Sequence, residues 1–365
     1  MEQAVPGQRK REPQQELEPL TDLRGRPLQD LRISLIDECN FRCTYCMPAE
    51  LFGHSYAFLP KEELLSFDEI VRTASLFAQL GVRKIKLTGG EPLLRPWIPE
   101  LVARLVEIPG IEDLGLITNG HRLQALARRL RSAGLSRITV SLDALDGELF
   151  SEITGGRGRV ETVIKGIEAA AAAGFDPVKI NVVVQRGVNE NQILPIIERF
   201  REGPFIVRFI EFMDVGNRNR WRMDSVVPAS EIVERVTSRY PAEPVEPNYP
   251  GEVAQRYRFL DGTGEFGVIA SVTRPFCGGC TRIRLSADGK LFTCLFATTG
   301  LDIKEALRQG VADELLAGKI RSLWSFRGDR YAEERAQAPE EAEATAATSA
   351  EQDGGERVEM YYIGG

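Results

Sequence analysis

An alternation of strand-like and helix-like segments repeats six times in the first two thirds of the chain, and this pattern most constrains the fold. Most strand candidates are short runs of Ile, Leu and Val bounded by Gly, Asp or Asn, as expected for buried parallel strands. They are Leu31–Ile36, Lys84–Leu87, Leu114–Thr118, Ile138–Leu142, Val178–Val184 and Ile206–Phe212. Helical patterns lie between them, such as Phe67–Leu80 and Arg122–Ala133.

Polar and glycine-rich segments cluster directly after the predicted strands. They are Asp37–Cys46, Thr88–Glu91, Asn119–Gly120, Asp143 and Glu211–Asn217. In a parallel barrel the carboxyl ends of all strands meet at one mouth, where the chemistry is built. We therefore predict an α/β fold, an incomplete (β/α)₆ TIM-like barrel. A doubly wound sheet is the alternative, because six right-handed βα units can form either.

The segments outside this repeat differ in composition. Residues 1–21 are polar and proline-rich, which predicts a disordered arm before the barrel at 22–222. Residues 223–331 contain Gly-rich turns and a helical Ile303–Leu316 region, which predict a smaller α+β domain. Residues 332–357 are rich in Ala and Glu and predict an acidic linker. Residues 358–365 turn apolar again, which predicts a docking tail.

The overall composition argues against several classes of protein. The formal net charge is −7, which disfavours binding of nucleic acid by bulk electrostatics. No run approaches the ~20 apolar residues of a membrane helix. Residues Met1–Leu20 have no apolar stretch of the kind found in secretion signals. We predict a cytoplasmic protein with neither nucleic acid nor membrane as a partner.

Six cysteines form two triads, and none is left over. The triads are Cys39, Cys43, Cys46 and Cys277, Cys280, Cys294. Three thiolates can hold a four-iron cubane and leave one iron open to another ligand. Disulfides are disfavoured without a secretion signal. Zinc needs four ligands, and only His54 lies near a triad, so zinc explains at most one of the two sites.

Two loops at neighbouring strand ends carry a pair of motifs. One is Cys39-Asn-Phe-Arg-Cys43-Thr-Tyr45-Cys46, and the other is Thr88-Gly89-Gly90-Glu91-Pro92. Together they resemble the radical S-adenosylmethionine (SAM) superfamily. The resemblance implies that the open iron of a [4Fe-4S] cluster binds the methionine part of SAM, which then yields a 5′-deoxyadenosyl radical. The implied SAM contacts are Tyr45, Gly89, Gly90, Glu91, Asn119 and Ser141.

The second triad restricts the resemblance to one group within this superfamily. The segment Cys277-Gly-Gly-Cys280-Thr-Arg282-Ile-Arg284, with Cys294 after it, resembles the molybdenum-cofactor GTP 3′,8-cyclases, the MoaA group. The likeness extends through Leu31–Pro48, Lys84–Arg95, Phe209–Asn217, Leu295–Ala297 and the final Gly364 and Gly365. It implies a lyase of molybdenum cofactor biosynthesis that forms 3′,8-cyclo-7,8-dihydro-GTP. The radical would take the ribose 3′ hydrogen of GTP, and C3′ would attack guanine C8.

The resemblance also assigns roles to individual residues. It implies a second [4Fe-4S] cluster at the second triad, where the guanine binds, and catalytic roles for Cys39, Cys43, Cys46, Arg282 and Arg284. The implied substrate contacts are Arg32, Lys84, Lys86, Lys179, Arg208, Arg282, Arg284, Gly364 and Gly365. Lys84 and Lys86 share a side because alternate strand residues point to one face. An electron donor and the next enzyme of the molybdopterin pathway are the other implied partners of a monomer or homodimer.

Two features depart from the family pattern. The first loop begins Ile36-Asp37-Glu38-Cys39 where Thr-Asp-Arg-Cys is usual, so no role is transferred to Glu38. The linker is longer than usual, which leaves open whether the tail docks in its own chain or in a neighbour. Two alternatives remain. One is a radical SAM enzyme that acts on a peptide or another small molecule, and the other is a non-catalytic module with zinc in one triad.

Overall fold

A single twelve-stranded sheet organises the computed structural model, which describes residues 19–53, 55–249, 251–337 and 357–364. Its central strands are β1 (Asp30–Ser34), β2 (Lys84–Thr88), β3 (Asp113–Thr118), β4 (Arg137–Ser141), β5 (Val178–Val184) and β6 (Phe205–Glu211). They are parallel and lie in chain order. In a doubly wound sheet the strand order changes direction at a switch point, so the strands would not lie in chain order. The structure therefore confirms the incomplete barrel.

Helices connect the successive parallel strands. They are α1 (Phe67–Gln79), α2 (Ile98–Val106), α3 (Leu123–Ser132), α4 (Gly147–Ile153), α5 (Val160–Ala172) and α6 (Ile193–Phe200). The start of α1 shows why the chain turns helical there, since Ser66 and Glu69 form a reciprocal capping box. Ile70, Ala74 and Phe77 of α1 share one buried face.

The segments after β6 extend both edges of the same sheet. The added strands are β7 (Ala242–Val245), β8 (Gln255–Phe259), β9 (Glu265–Ile269), β10 (Arg282–Leu285), β11 (Lys290–Phe292) and β12 (Leu301–Asp302). β9 pairs with β6, and β10 pairs with β1, both in parallel. The predicted C-terminal α+β region therefore contributes its strands to the edges of the barrel.

The remaining helices belong to the C-terminal third. They are α7 (Ala229–Arg239), α8 (Lys304–Arg308), α9 (Asp313–Ser325), α10 (Tyr331–Gln337) and α11 (Met360–Ile363). The predicted helical region Ile303–Leu316 is two helices, because a turn with positive φ at Gly310 separates them. Within the described ranges, no helix is long and apolar enough to cross a bilayer.

Parts of three predicted segments lie outside the described residues. These parts are residues 1–18 of the arm, 338–356 of the linker and Gly365 of the tail. The first residues of the predicted linker are helical, because α10 runs on through Gln337. The tail, here residues 357–364, includes Arg357 from the end of the predicted linker together with the described part of the predicted tail.

Strand residues alternate between the helix-covered face and the barrel interior. In β5, Val178 and Ile180 are buried, whereas Lys179 and Asn181 are only partly buried. Period-two alternation places this second pair on the interior face. The interior of the barrel therefore carries polar and charged side chains.

Candidate active site

The two cysteine triads lie at opposite ends of β1. Cys39, Cys43 and Cys46 are in the loop that follows the carboxyl end of β1. Cys280 stands just before β10, whose first residue, Arg282, pairs with Asp30 at the start of β1. The five residues of β1, at about 3.3 Å each, place roughly 15 Å between the two loops.

The thiols of the first triad are partly buried and affect one another's ionisation. Burial raises the pKa of Cys39 to about 12. Burial also holds the pKa of Cys43 well above its usual value, and Cys39 and Cys46 add to that rise. A thiolate at this place therefore needs a cationic partner. A cubane iron–sulfur cluster fits this donor set, since it supplies positive iron to three thiolates.

A single metal ion fits the described residues less well. No three of their His, Cys, Asp or Glu side chains are arranged to bind one ion. A cubane differs, because each of its cysteine ligands binds a different iron. His54, which could complete a zinc site, lies outside the described residues.

The loop after β2 packs directly on the first cysteine loop. The Gly90 N–H donates to the carbonyl oxygen of Ile36 at 2.6 Å, and the Glu91 N–H donates to that of Glu38 at 2.8 Å. A Cβ atom at residue 90 would lie 2.2 Å from the Glu38 carbonyl oxygen. Glycine is therefore required for the two main chains to lie this close.

Glu91 links the β2 loop to the β3 loop. Its carboxylate accepts hydrogen bonds from the Leu93 N–H at 3.0 Å, the Thr118 hydroxyl at 2.6 Å and the Asn119 N–H at 2.7 Å. Burial raises the pKa of Glu91 to about 7, although the bonds from Asn119 and Thr118 oppose the rise. A carboxylate oxygen accepts two bonds, so Oε2 retains capacity for a ligand ammonium.

Asn119 connects the end of β3 to the first triad. Its side-chain amide donates to Asn40 Oδ1 at 2.8 Å and lies 3.7 Å from Cys39 Sγ. Asn119 is therefore close to the predicted first cluster as well as to the predicted SAM site. Ser141, the other predicted contact, is the last residue of β4 and lies at the same mouth.

Tyr45 is anchored by a carboxylate that the sequence analysis did not assign to the site. Its hydroxyl donates to Asp143 Oδ2 at 2.6 Å, and the other carboxylate oxygen of Asp143 accepts from the Val183 N–H at 2.8 Å. Burial raises the pKa of Asp143 to about 6, against the effect of these two bonds. Asp143 thus fixes the aromatic ring beside Cys46.

A cavity inside the barrel leads from the middle of β1 to the second triad. Eight basic residues line it: Arg32, Lys84, Lys86, Arg137, Arg208, Arg282, Arg284 and Arg327. Cys277, Cys280 and Cys294 line the same cavity. Arg32 pairs with Lys86 on one side and with Arg284 on the other, so these cations form a row across three strands. Like charges at paired positions destabilise a sheet, and this arrangement therefore suits an anionic ligand.

The closely spaced cations lower one another's pKa values. Burial, with a contribution from Arg282, lowers the pKa of Arg32 to about 10. Burial, with Arg208 and Arg137, lowers the pKa of Lys179 to about 8. Lys179 is not among the cavity-lining residues, but it shares a face of β5 with Asn181, which is. A bound anion would relieve this repulsion.

The second triad is surrounded by arginines. Arg327 Nη2 lies 3.2 Å from Cys280 Sγ, and Arg282 Nη2 lies 3.5 Å from the same atom. Although burial opposes it, these two guanidinium groups lower the pKa of Cys280 to about 6. Arg26 donates to the carbonyl oxygen of Cys277 at 2.9 Å. The arginines therefore favour the thiolate form of Cys280, which is the form that binds a metal.

The C-terminal tail reaches the cavity within the same chain. The guanidinium of Arg284 donates to the carbonyl oxygen of Gly364. The Tyr361 and Tyr56 hydroxyls are 2.8 Å apart, and the Tyr362 hydroxyl donates to Asp288 at 2.6 Å. The described part of the tail is therefore anchored at several points.

Comparisons with known proteins bear on this arrangement. The family model described as Radical SAM superfamily matches residues 33–200, and the one described as Molybdenum Cofactor Synthesis C matches residues 205–333. A GTP 3′,8-cyclase of Acidothermus cellulolyticus is 51% identical, over 95% of this chain and 99% of that protein. One of Xanthomonas axonopodis pv. citri is also 51% identical, again over 95% of this chain and 99% of that protein. The chain belongs to the GTP 3′,8-cyclase family.

The fold is also shared with a solved structure that contains bound S-adenosylmethionine. Streptococcus suis SuiB bound to S-adenosylmethionine gives a TM-score of 0.55 at 17% identity, over 81% of this chain and 68% of that one. The family models and the relatives show that this GTP 3′,8-cyclase family member is a radical SAM lyase that uses SAM and an iron–sulfur cluster. The predicted family is confirmed, and the non-catalytic alternative is wrong.

The structure groups the predicted site residues of this family member into two sets. Around the carboxyl ends of the strands lie Cys39, Cys43, Tyr45, Cys46, Gly89, Gly90, Glu91, Asn119 and Ser141. In and beside the cavity lie Arg32, Lys84, Lys86, Lys179, Arg208, Arg282, Arg284, Gly364 and the second triad. Gly365 lies outside the described residues. The individual roles in both sets stay predictions.

Several cavity residues were missed from the sequence. Arg137 and Tyr249 line the cavity, and Lys84 Nζ lies 3.4 Å from the centre of the Tyr249 ring. Strand alternation could have indicated Arg137, since it shares a face with Ser141, four residues later. No sequence signal indicated Tyr249 or Arg327, which lie in loops and reach the cavity only through the fold.

Proposed function

We propose that this chain converts GTP to 3′,8-cyclo-7,8-dihydro-GTP within the cation-lined cavity, as a step of molybdenum cofactor biosynthesis. The observation that carries the proposal is the row formed by Lys86, Arg32 and Arg284, which lines the same cavity as the second triad. A triphosphate carries several negative charges and would offset the repulsion among these side chains. One arginine guanidinium can also bind two phosphate oxygens at once.

Cys39, Cys43 and Cys46 would hold the cluster that binds SAM. When bound, these groups would supply the 5′-deoxyadenosyl radical that takes the ribose 3′ hydrogen before C3′ attacks guanine C8, and one electron from an external donor together with one proton would complete the 7,8-dihydro product. The residues of the chain bind and orient the reactants. Glu91 and Asn119 would position SAM, and the barrel wall would exclude water from the radical. C3′ and C8 belong to one molecule, so a fixed conformer of GTP supplies their proximity.

Cys277, Cys280 and Cys294 would hold a second [4Fe-4S] cluster at the far end of the cavity. The three cysteines are free and, as thiolates, would bind a cationic group. Arg282 and Arg327 offset the thiolate charge of Cys280. With the triphosphate on Arg32 and Lys86, the guanine would face this triad. An external electron donor and the next enzyme of the molybdopterin pathway are further partners in this proposal.

A peptide substrate is less well supported. The cavity is lined by eight basic residues, against the acidic Asp30 and Asp329. A neutral peptide would leave most of these cations unpaired in a buried place, which is costly. A nucleoside triphosphate is the better match to this charge.

The test is anaerobic turnover by the reconstituted enzyme. With GTP, SAM and dithionite we expect 5′-deoxyadenosine and a new GTP-derived product in step. Arg282→Ala and Arg284→Ala should each lower product formation about tenfold or more, because each removes a charged contact. Arg104→Ala, in an exposed ion pair with Asp68, is the matched control. Deoxyadenosine that forms equally fast without GTP, with no product, would contradict the proposal.

A further inference from the structure

The segment that follows β6 carries a motif to which the proposed reaction gives no role. It contains Asp214, Gly216 and Asn217, directly beyond the barrel strand. Asp214 is only 8% exposed. A carboxylate this buried is expected to have charged or polar donors around it, and its partners indicate what the segment does.

The described residues before position 338 and after position 356 both contact Asp214. On the near side, α10 supplies the Tyr331 hydroxyl, 2.7 Å from Oδ2, and the Arg335 guanidinium, which binds Oδ1. On the far side, Arg357 Nη1 lies 2.8 Å from the main-chain oxygen of Asp214 and 3.3 Å from Oδ2. Charge-assisted bonds of this kind are stronger than neutral ones. One carboxylate therefore holds the start of the tail against α10.

Asn217 binds the same tail residues through its side chain and main chain. Its Nδ2 donates to the Arg357 carbonyl oxygen at 2.6 Å, and the Arg357 N–H returns a bond to Oδ1 at 3.2 Å. The Asn217 N–H donates to Glu359 Oε1 at 3.1 Å. A Cβ at Gly216 would lie 2.2 Å from the Glu359 carboxylate. The segment is shaped to receive residues 357–359.

The position of the far end of the tail depends on where residues 357–359 are held. Glu359 is five residues before Gly364, whose carbonyl oxygen receives the bond from Arg284. Between them, Ile363 is fully buried. Met360–Ile363 form the helix α11, in which one residue covers about 1.5 Å along the axis, so a displacement of residues 357–359 would carry Gly364 away from the cation row.

We propose that Asp214, Gly216 and Asn217 form a docking cradle for tail residues 357–359, and that Asp214 is a positioning residue for Gly364. The effect on turnover rests on the proposed function above, but docking of the tail does not. The cradle acts through the tail, since the tail carries the contact to Arg284.

Hydrogen exchange on the reconstituted full-length enzyme tests the docking directly. In Asp214→Asn we expect the amides of residues 357–364 to exchange about tenfold faster, because the charged acceptor is lost. The amides of β5 should not change. Asn217→Ala is a second variant that keeps the buried carboxylate. Asp224→Asn is the matched control, since Asp224 is 63% exposed in its side chain and pairs only locally with Arg222. Unchanged tail exchange in both cradle variants would overturn the proposal.

A double variant tests the positioning role. Gly364→Ala would place a Cβ 2.2 Å from the Thr88 side chain and so displaces the tail end. If Asp214 acts through the tail, adding Asp214→Asn to Gly364→Ala should lower kcat/KM for GTP by less than twofold further. Fully additive losses would overturn the positioning role. Absence of GTP turnover in the unmodified enzyme would instead refute the proposed function, and the exchange result would still decide the cradle.

Discussion

Arg32 and Arg284 occupy paired positions on the parallel strands β1 and β10, near the middle of the barrel. Arg284 is buried and Arg32 is partly buried, so their guanidinium groups repel each other, and the neighbouring Lys86 adds to the repulsion. In the absence of an anion this row reduces the stability of the protein. Stability and substrate binding should therefore respond to the same substitution in opposite directions.

Arg32→Met should stabilise the ligand-free protein and impair turnover. Methionine keeps much of the length of arginine without its charge, so we expect the free energy of unfolding to rise by ~1 kcal/mol. We expect kcat/KM for GTP to fall at least tenfold, because a phosphate contact is lost. Thermal unfolding without GTP and steady-state kinetics measure the two effects.

Arg104→Met provides the comparison for Arg32→Met. Arg104 is 43% exposed in its side chain and pairs with the exposed Asp68, so neither quantity should change appreciably. A less stable Arg32→Met protein would contradict the view that this row of cations destabilises the folded protein.

The pH dependence of turnover should reveal Lys179. Its ordinary pKa of 10.5 is lowered to about 8 by burial and by Arg208 and Arg137. The ammonium form is therefore lost as the pH rises through about 8, and with it one cation for the triphosphate. We expect kcat/KM for GTP, which reports the free enzyme, to decrease above that pH. Lys179→Arg should move this decrease to higher pH, since arginine stays protonated.

Lys179→Met provides the opposite comparison. Without a titrating group at this position, kcat/KM should be lower throughout and should not decrease near pH 8. A decrease that persists in both variants would assign the titration to another group.

Cys294→Ser should separate the two proposed clusters. We expect iron to fall from about eight to about four atoms per chain, because only the first cubane remains. The variant should still cleave SAM to 5′-deoxyadenosine, since the first triad lies at the other end of β1. It should form no cyclised GTP product. Iron and sulfide analysis with product chromatography measures this, and full iron content in the variant would argue against a second cluster at this triad.

Gly90→Ala should disrupt the first cysteine loop. The new Cβ would meet the main-chain oxygen of Glu38 at 2.2 Å, and a main chain cannot move aside cheaply. We expect a loss of ~2 kcal/mol or more in unfolding free energy, together with loss of iron from the first triad. Chemical denaturation and iron analysis measure both.

Gly318→Ala is the matched glycine substitution. Gly318 lies inside α9, and nothing stands within 4 Å of a Cβ there. Alanine is the better helix former, so this variant should be neutral or stabilised by ~0.5–1 kcal/mol. Equal losses at both glycines would show that the contact with Glu38 is not the cause.

The strands could be predicted because local sequence determines them. Val178–Val184 has the bounds of β5, and the other central strands are displaced by at most two residues at either end. Short aliphatic runs followed by polar loops carry this information without reference to distant parts of the chain. The cysteine loops were found for a similar reason, since their ligands are close in sequence.

The connections between distant segments could not be predicted in the same way. Arg327 is 47 residues beyond Cys280, yet its guanidinium lies 3.2 Å from that sulfur. Asp214 meets Arg357 across 143 residues. Nothing in the local composition of these segments indicates the pairing, because it arises from how the last third of the chain folds over the barrel.

The pairing of β10 with β1 and of β9 with β6 also has a consequence during synthesis. Until these later strands leave the ribosome, the six-stranded core has an unpaired strand at each edge. Open edges of this kind recruit other strands and promote aggregation. The nascent chain is therefore most vulnerable between the completion of β6 and the emergence of Leu285, and chaperone dependence should be concentrated in that interval.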